Sequence, residues 1–291
     1  MNRLFCFGFG YSATVLAHRL KAQGWRIAGT ARTREKVKEL TAQGIEAYQF
    51  DAPLSHAAAA LAGTTHILVS TPPNVGGDPA LTHHVHDLSA LTPRPQWVGY
   101  LSTTGVYGDH QGGWVDEATP VTPSNERAKR RIAAEHAWAA WGAAVNVPVH
   151  IFRLAGIYGP GQNQLVSLRE GKARRIIKPG QVFSRIHVED IATVLEASIA
   201  KPNAGAIYNV CDDEPAPPDE VVAYAAKLLN IDPPPSEPFE EAARTLSDMA
   251  LSFYLDSKRV KNDRIKQDLG VTLRYPTYRE GLTALLAEDG R

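Results

Sequence analysis

The first hydrophobic run of the chain, residues 4–7, breaks on two glycines and is followed at once by apolar positions at helical spacing. The run Leu-Phe-Cys-Phe is short and continuous, which is typical of a strand buried on both faces. After it, Ala13, Leu16, Ala17 and Leu20 recur every three or four residues, which indicates an amphipathic helix. This opening stretch therefore predicts a strand, a tight turn and a helix.

The alternation of apolar strands with amphipathic helices continues along the chain. Strands are predicted at residues 25–30, 45–50, 66–70, 97–101 and 206–210, and helices at residues 35–43, 56–62, 191–200 and 219–230. Strands and helices that alternate at this spacing imply a parallel sheet with right-handed crossovers. We therefore predict an α/β protein with a Rossmann-type doubly wound parallel sheet and a small C-terminal substrate lobe.

Composition limits the partners of this fold. Lysine plus arginine and aspartate plus glutamate number 31 each, so no net charge favours nucleic acid or a membrane surface. Cys6 and Cys211 have neither C-x-x-C nor metal-ligand spacing, so no disulfide framework or zinc site is predicted. No segment has the length and apolarity of a membrane span, and glycines interrupt the apolar start too early for a signal peptide. We expect a soluble, cytoplasmic protein that binds neither nucleic acid nor membrane.

The turn after the first strand carries the form G-x-G-x-x-A. Gly8 would allow a sharp turn, Gly10 would let backbone N–H groups approach a pyrophosphate, and Ala13 would let the helix pack closely on the strand. Tyr11 and Ser12 complete this stretch, and the helix N-terminus supplies partial positive charge for phosphates. The alternative is an ordinary glycine-rich turn, but its position between the first strand and a helix favours a dinucleotide site.

The predicted domains follow from this motif and from the pattern beyond it. Residues 1–161 are predicted to form a Rossmann dinucleotide-binding domain. Residues 162–291 are predicted to form an interleaved C-terminal substrate lobe, of which residues 186–210 return to the Rossmann sheet.

Several residues at predicted strand ends are candidate cofactor contacts. A site selective for NAD usually has Asp or Glu after the second strand, whereas Arg32 is found here and could hold a 2′-phosphate. NADP is therefore favoured over NAD, the alternative being a solvated arginine pair. Asp51 could accept from the adenine amino group or cap a turn. Ser70, Thr71 and Pro72 end the fourth strand at the carboxyl edge, where cofactor loops lie.

Two clusters suggest other ligands. His83, His84 and His86 lie close together, but Leu81, Val85 and Leu88 form a helical stripe there, and no metal site is predicted. A basic cluster near Gly171 is compatible with an anionic substrate, although a solvated charged surface explains it equally well. Its members are Arg169, Lys172, Arg174, Arg175 and Lys178.

Six short segments carry a resemblance to a known family. They are residues 102–109 (STTGVYGD), 153–161 (RLAGIYGPG), 185–192 (RIHVEDIA), 208–210 (YNV), 256–259 (DSKR) and 268–270 (DLG). In this order the chain resembles an extended or atypical short-chain dehydrogenase/reductase, the superfamily that includes nucleotide-sugar epimerases and dehydratases. The resemblance covers nearly the whole chain.

The resemblance implies roles for residues after the fifth strand. Thr103 matches the catalytic Ser/Thr that donates to the substrate oxygen, although a threonine also simply suits a strand end. Tyr107 falls in the loop that faces the substrate. The Tyr-x-x-x-Lys motif of the family falls on Arg127 and Arg131, or, two residues earlier, on Asn125 and Lys129.

Neither register contains the tyrosine that serves the family as general acid and base. Arg131 could keep the ribose contact and the positive charge of the lysine, whereas Arg127 cannot accept a proton near neutral pH. The resemblance therefore implies an NADP-dependent oxidoreductase or epimerase/dehydratase-like protein acting on an unidentified small molecule, with an anionic substrate and a homodimer left open. The alternative is a catalytically silent NADP-binding sensor or regulatory protein.

Overall fold

The computed structural model describes residues 1–289. Its strands are β1 (Arg3–Phe7), β2 (Arg26–Ala31), β3 (Glu46–Gln49), β4 (His66–Val69), β5 (Trp97–Thr103), β6 (Trp114–Val115), β7 (Val149–Leu154), β8 (Gly156–Tyr158), β9 (Arg175–Ile177), β10 (Arg185–His187), β11 (Ile207–Val210), β12 (Ser236–Pro238) and β13 (Arg259–Val260). Its helices are α1 (Tyr11–Ala22), α2 (Arg34–Ala42), α3 (Ala57–Leu61), α4 (Pro79–Ser89), α5 (Glu126–Val145), α6 (Gln164–Arg169), α7 (Val188–Ala200), α8 (Pro218–Leu228), α9 (Phe239–Ala242), α10 (Asp248–Leu255), α11 (Asp263–Gln267) and α12 (Tyr278–Asp289).

The central element is a seven-stranded parallel sheet in the order β11-β7-β5-β4-β1-β2-β3. The chain runs outward in one direction through β1, β2 and β3, and then returns to the other side of β1 with β4. This reversal of strand order is the topological switch point of a doubly wound sheet, and ligands bind in such folds outside the carboxyl ends of the strands there. The predicted α/β, doubly wound fold is confirmed.

Two compact units share the chain. The first, called unit 1, consists of residues Met1–Thr103, Lys129–Arg153 and Ala192–Tyr208. Its hydrophobic core includes Phe5 and Phe7 of β1, Ile67 of β4, Val98 of β5 and Trp138 of α5. Each large apolar side chain buried in this way contributes about 1.5–3 kcal/mol to folding. The central strands β1 and β4 are fully buried and mostly apolar, as is typical of a parallel sheet with helices on both faces.

A buried polar group, His150 of β7, lies within unit 1. Its Nε2 accepts from the backbone N–H of Asn203 at 2.8 Å, so the proton of the neutral ring is on Nδ1, which lies 2.6 Å from Ser198 Oγ. Burial lowers the pKa of His150 to about 4, because the charged ring would lose its water. The neutral imidazole is thus part of the folded structure.

The second, called unit 2, consists of residues 104–128, 154–191 and, among the described residues, 209–289. Three two-stranded parallel pairs lie in it: β8 with β10, β9 with β12, and β6 with β13. Its hydrophobic cluster includes Tyr158 of β8, Leu165 of α6, Val221 of α8, and Tyr278 and Leu282 of α12. No helix among residues 1–289 combines the length and apolar composition needed to cross a bilayer.

The division into units differs from the predicted boundary at residue 161. Residues 104–128 and 154–161 were expected in the first domain, but the structure places them in unit 2. Within the predicted returning segment 186–210, only Ala192–Tyr208 belongs to unit 1. The boundaries could not be read from the sequence because they fall at strand ends rather than in linkers rich in proline or glycine.

Candidate functional site

The turn between β1 and α1 is held by its neighbours on both sides. Gly8 has φ +85°, a left-handed conformation that favours glycine, and an added Cβ would lie 3.0 Å from Ser70 Oγ. Its N–H donates to Thr30 Oγ1 at 2.8 Å, and its carbonyl accepts from Ser70 Oγ at 2.7 Å. Thr30 of β2 and Ser70, the residue directly after β4, therefore fix the backbone of this turn.

Gly10, in contrast, faces open space. It is the N-cap of α1 and has φ −95°, and an added Cβ would meet no atom within 4 Å. Because glycine has no side chain, it makes no capping hydrogen bond with the first turn of α1, which also contains no acidic residue. Ser12 and Ala13 are buried against the sheet, and Tyr11 is half-buried. The helix N-terminus is thus open to an anionic group.

Phe9 is a part of this turn that sequence reasoning missed. Its N–H donates to the carbonyl of Thr30 at 2.8 Å, and its ring packs against Gly29 of β2. A Cβ on Gly29 would lie 2.7 Å from the Phe9 ring, so the close packing requires glycine. The signal was present in the sequence as a glycine within a predicted strand, which often marks close approach of another group.

Four polar residues meet where β2 and β3 end. Arg32 is exposed, and among the described residues no carboxylate pairs with it. Arg34 begins α2 and its Nε lies 3.4 Å from Gln49 Oε1. Gln49 Nε2 donates to Asp51 Oδ2 at 2.9 Å and lies 3.5 Å from the carbonyl oxygen of Arg32. Asp51 is exposed and held by Gln49, which sequence reasoning did not identify.

The end of β4 closes over the end of β1. The N–H groups of Ser70 and Thr71 both donate to the carbonyl of Phe7, at 2.8 Å and 3.2 Å. Thr71 Oγ1 is buried and has no hydrogen-bond partner among the described residues, while Pro72 is exposed. These predicted residues lie beside Gly8, as the parallel pairing of β1 with β4 requires.

Arg131 of α5 reaches the end of β5. Its Nη1 donates to the carbonyl of Leu101 at 2.7 Å and lies 3.2 Å from Tyr100 Oη. One turn later on α5, the buried Glu135 accepts from Ser102 Oγ and from two guanidinium nitrogens of Arg153, at 3.2 and 2.8 Å. Two bonds from α5 thus hold the backbone just before Thr103, which is half-buried.

The start of α5 bears on the two possible registers of Tyr-x-x-x-Lys. Asn125 precedes the helix, and its Oδ1 accepts from the N–H of Ala128 at 2.9 Å, as a capping residue does. Lys129 and Arg127 are exposed. Among the four candidates, Arg131 forms a hydrogen bond to the end of β5, through the carbonyl of Leu101.

Tyr107 lies in a 3₁₀ turn (Thr104–Tyr107) of unit 2. It has no exposed surface, and its hydroxyl donates to Asn209 Oδ1 at 2.8 Å. Tyr107 therefore holds its loop to the end of β11, and its role in a loop that faces the substrate stays a prediction. Asn209 lies 102 residues further along the chain, so no local pattern could indicate this bond.

Two buried carboxyl groups were not predicted. Asp78 caps α4, accepting from the N–H groups of Ala80 and Leu81 at 3.0 and 3.3 Å, and burial raises its pKa to about 6. In unit 2, Asp212 follows β11 and burial raises its pKa to about 8. The signal for Asp78 was its position directly before Pro79, a typical helix start. Nothing local marks Asp212 as buried.

Members of the histidine cluster and of the basic cluster form contacts within the protein. His84 Nε2 accepts from the N–H of Leu54 at 3.1 Å, and no group of residues within 1–289 has the arrangement of a metal site. In the basic cluster, Arg174 forms a bidentate pair with Glu237, at 3.0 and 2.6 Å. Lys178 donates to the carbonyl of Tyr254. Much of the cluster's charge is therefore used within unit 2.

Comparison with known sequences decides the family. The profile described as NAD dependent epimerase/dehydratase family matches residues 8–211, which include the Gly8 turn, Thr103, Arg131 and six of the seven strands of the central sheet, all except β1. The chain belongs to this family. Its suspected membership of the extended short-chain dehydrogenase/reductase superfamily is thereby confirmed.

Three known proteins are similar to this chain over nearly its whole length. Protein YeeZ of Escherichia coli K12 is 29% identical over 290 residues, covering 95% of this chain and 97% of YeeZ. A conserved protein of unknown function from Silicibacter pomeroyi DSS is 51% identical, covers both chains completely and has a TM-score of 0.90. Human epimerase family protein SDR39U1 with NADPH is 16% identical, with 99% of both chains covered and a TM-score of 0.76.

Proposed function

We propose that the protein binds NADP(H) in unit 1 and acts as an oxidoreductase or epimerase/dehydratase-like enzyme on a small anionic molecule. The observation that carries this proposal is the turn after β1, in which Gly8 is fixed by Thr30 and Ser70 while Gly10 opens onto free space. A backbone held in this way pre-organises N–H groups for a pyrophosphate at the N-terminus of α1.

The residues present fit a dinucleotide. A side chain at Gly10 would project into the space that a pyrophosphate needs, and Thr71 Oγ1 is a buried polar atom with no described partner beside this turn. Ser12 and Ala13 add the N–H groups of the first helical turn. Asp51, at the end of β3, is the expected acceptor for the adenine amino group.

Selectivity for NADP is assigned to Arg32. The position that holds Asp or Glu in NAD-selective sites holds an exposed arginine here, free of any described carboxylate. A guanidinium can contact a 2′-phosphate with two parallel hydrogen bonds. The NADPH of human SDR39U1, which has the same fold, is consistent with this assignment.

The chemistry is assigned to residues at the end of β5 and on α5. The nicotinamide supplies or accepts the hydride when bound. Thr103 would donate a hydrogen bond to the reacting oxygen, and Arg131, fixed on the carbonyl of Leu101, would hold the nicotinamide ribose. Arg127 occupies the tyrosine position of the Arg127/Arg131 register and offers only hydrogen-bond donors, which suits a carboxylate or phosphate on the substrate.

The test is titration calorimetry with NADPH and NADH. We expect NADPH to bind more tightly, and Arg32→Ala to reduce its affinity while leaving that of NADH within about twofold. Arg26→Ala is the matched control, because Arg26 starts the same strand and pairs with Glu46 at the opposite end. Equal affinities for the two dinucleotides, or an unaffected Arg32→Ala protein, would contradict the assignment.

One observation supports a second candidate, a silent NADP-binding regulatory protein. The family tyrosine is absent, and the nearby Tyr107 is buried and bonded to Asn209, so it cannot replace the tyrosine. Tight NADPH binding without turnover of any carbonyl or nucleotide-sugar substrate would favour this candidate over the enzyme.

A further inference from the structure

The ends of β2 and β3 contain a chain of polar contacts in which two residues, Arg34 and Gln49, have no role in the proposed function. Gln49 ends β3, and parallel pairing places it beside Ala31, the last residue of β2. Its side chain reaches toward Arg34 on one side and Asp51 on the other, at 3.4 and 2.9 Å. The three side chains form a row at the edge where the adenosine of a dinucleotide is expected.

The chemistry of its neighbours fixes the orientation of the Gln49 amide. A guanidinium only donates hydrogen bonds and a carboxylate only accepts them, so the amide oxygen must face Arg34 and the amide nitrogen must face Asp51. The same nitrogen lies 3.5 Å from the carbonyl oxygen of Arg32. Gln49 thus contacts the segment that carries both arginines.

A neutral amide between Arg34 and Asp51 has an electrostatic consequence. If Asp51 paired directly with Arg34, the positive charge would be largely neutralised. The amide oxygen instead orients the guanidinium without cancelling its charge. Arg34 has no ion pair among the described residues, and it lies in the first turn of α2, whose N-terminus also favours an anion.

We propose that Arg34 is a second ligand for the 2′-phosphate of NADP and that Gln49 is the positioning residue that holds it there with its charge available. This inference rests on the proposed NADP site and adds a residue pair to it. Arg32 and Arg34 flank Thr33, the N-cap of α2, whose Oγ1 accepts from the N–H of Lys36 at 3.3 Å. The cap fixes the short segment between the two arginines, and Gln49 fixes it from β3.

The decisive experiment compares NADPH and NADH affinities by nicotinamide fluorescence in four variants. Gln49→Glu keeps the size of the side chain but places a carboxylate next to Arg34, so we expect NADPH affinity to fall about tenfold. Gln49→Met removes the contacts without adding charge, and about a threefold loss is expected. Arg34→Ala should lower NADPH affinity five- to tenfold. NADH affinity should stay within about twofold throughout, because NADH lacks the 2′-phosphate.

The fourth variant, Lys36→Ala, is the matched control. Lys36 lies on the same helix turn as Arg34 but pairs with Glu39 at 2.7 Å, so its loss should change NADPH affinity by less than about twofold. A larger effect would mean that NADPH senses only the general positive charge of α2, and this would overturn the specific role of Arg34. The loss in Arg34→Ala should also shrink at high salt, as expected for a charged contact at an exposed site.

The outcomes separate this inference from the function on which it rests. If the wild type prefers NADPH and only Arg32→Ala removes the preference, the NADP site stands and the role of Arg34 and Gln49 is wrong. If the wild type binds neither dinucleotide, or both equally, the proposed function fails and this inference fails with it. If Gln49→Glu lowers NADH affinity as much as NADPH affinity, Gln49 supports the adenosine site as a whole rather than the phosphate.

Discussion

Asp212→Asn is expected to stabilise the protein increasingly as pH rises. Asp212 is only 1% exposed, and its Oδ1 accepts from the N–H of Glu214 at 3.3 Å. Burial raises its pKa from 3.8 to about 8, while the charge of Arg185 acts in the opposite direction. The folded protein therefore holds Asp212 as a neutral carboxylic acid at pH 7, a form that asparagine resembles closely.

The sign and size of the effect follow from proton binding. Between pH 3.8 and 8 the folded state keeps the proton of Asp212 and the unfolded state releases it, so stability is lost as pH rises through this window. Within this window, each rise of one pH unit lowers the free energy of unfolding by about 1.4 kcal/mol. From pH 6 to pH 8 the free energy of unfolding of the wild type should fall by about 2 kcal/mol relative to Asp212→Asn, the slope flattening near the pKa. Any pH-independent cost of the amide cancels in this comparison.

The assay is urea denaturation of both proteins at pH 6, 7 and 8, followed by circular dichroism. Asp213→Asn is the control, since Asp213 is more exposed and pairs with Lys266 at 2.6 Å. That variant should be destabilised by up to about 1 kcal/mol through loss of the ion pair, and its stability should still fall as pH rises because Asp212 is retained. Parallel pH profiles for the wild type and Asp212→Asn would refute the reasoning. Such parallel profiles would show that Asp212 is already ionised beside Arg185 at pH 6, because both the folded and the unfolded state would then have released its proton.

Three further predictions concern the cofactor turn, a buried histidine and the altered catalytic motif. Gly10→Val should leave apo-protein stability within about 1 kcal/mol, because the added side chain meets no atom within 4 Å, but should abolish thermal stabilisation by NADPH. As pH falls from 6.5 to 4, His150 should lower the free energy of unfolding by about 1.4 kcal/mol per pH unit, because the unfolded state binds a proton that the folded ring excludes. In urea titrations, His150→Gln should make this dependence on pH less steep. In assays with aldehydes, ketones and nucleotide sugars, wild-type turnover should be feeble. An Arg127→Tyr, Arg131→Lys double variant should have higher turnover, since general acid–base catalysis increases rates by about 10²–10⁴-fold. Robust wild-type turnover that both substitutions leave intact would show that the acid/base group lies elsewhere.

Local patterns were sufficient for the cofactor turn and for six of the seven strands of the central sheet, whereas β7 (Val149–Leu154) was not predicted. The strand, turn and helix from Arg3 to Ala22 appear as predicted because each step, from apolar run to glycine to helical stripe, is encoded by neighbouring residues. The fifth strand extends to Thr103 rather than to residue 101, since Ser102 and Thr103 are compatible with a strand and helix α5 holds them there. The role of Gly8 required only the turn geometry that glycine permits.

The features that could not be predicted from the sequence depend on contacts between residues that are far apart along the chain. The pairing of β6 with β13 joins segments more than 140 residues apart, and each strand has only two residues, too few for a periodic pattern. In the sequence, Tyr107 comes shortly after a strand, at the edge of the sheet where substrate-facing residues are expected. The hydrogen bond from its hydroxyl to Asn209 is visible only in the structure. Asp212 stands among three consecutive acidic residues that read as an exposed loop, yet it is buried. Whether a residue is buried depends on the folding of the whole chain, so a short stretch of sequence around these residues cannot indicate it.

Cofactor binding and catalysis depend on different kinds of group in this chain. Binding is assigned to backbone N–H groups at Gly10 and to arginine side chains, which need neither gain nor lose a proton. Catalysis by the family mechanism needs a group that exchanges a proton, and Arg127 and Arg131 of α5 do not meet that need at neutral pH. Loss of the tyrosine would therefore leave affinity for NADPH intact, so affinity alone does not distinguish an enzyme from a regulatory protein. If restoring the tyrosine creates turnover in a protein that already binds NADPH, the site must already orient cofactor and substrate, and the missing proton carrier must have limited the wild type.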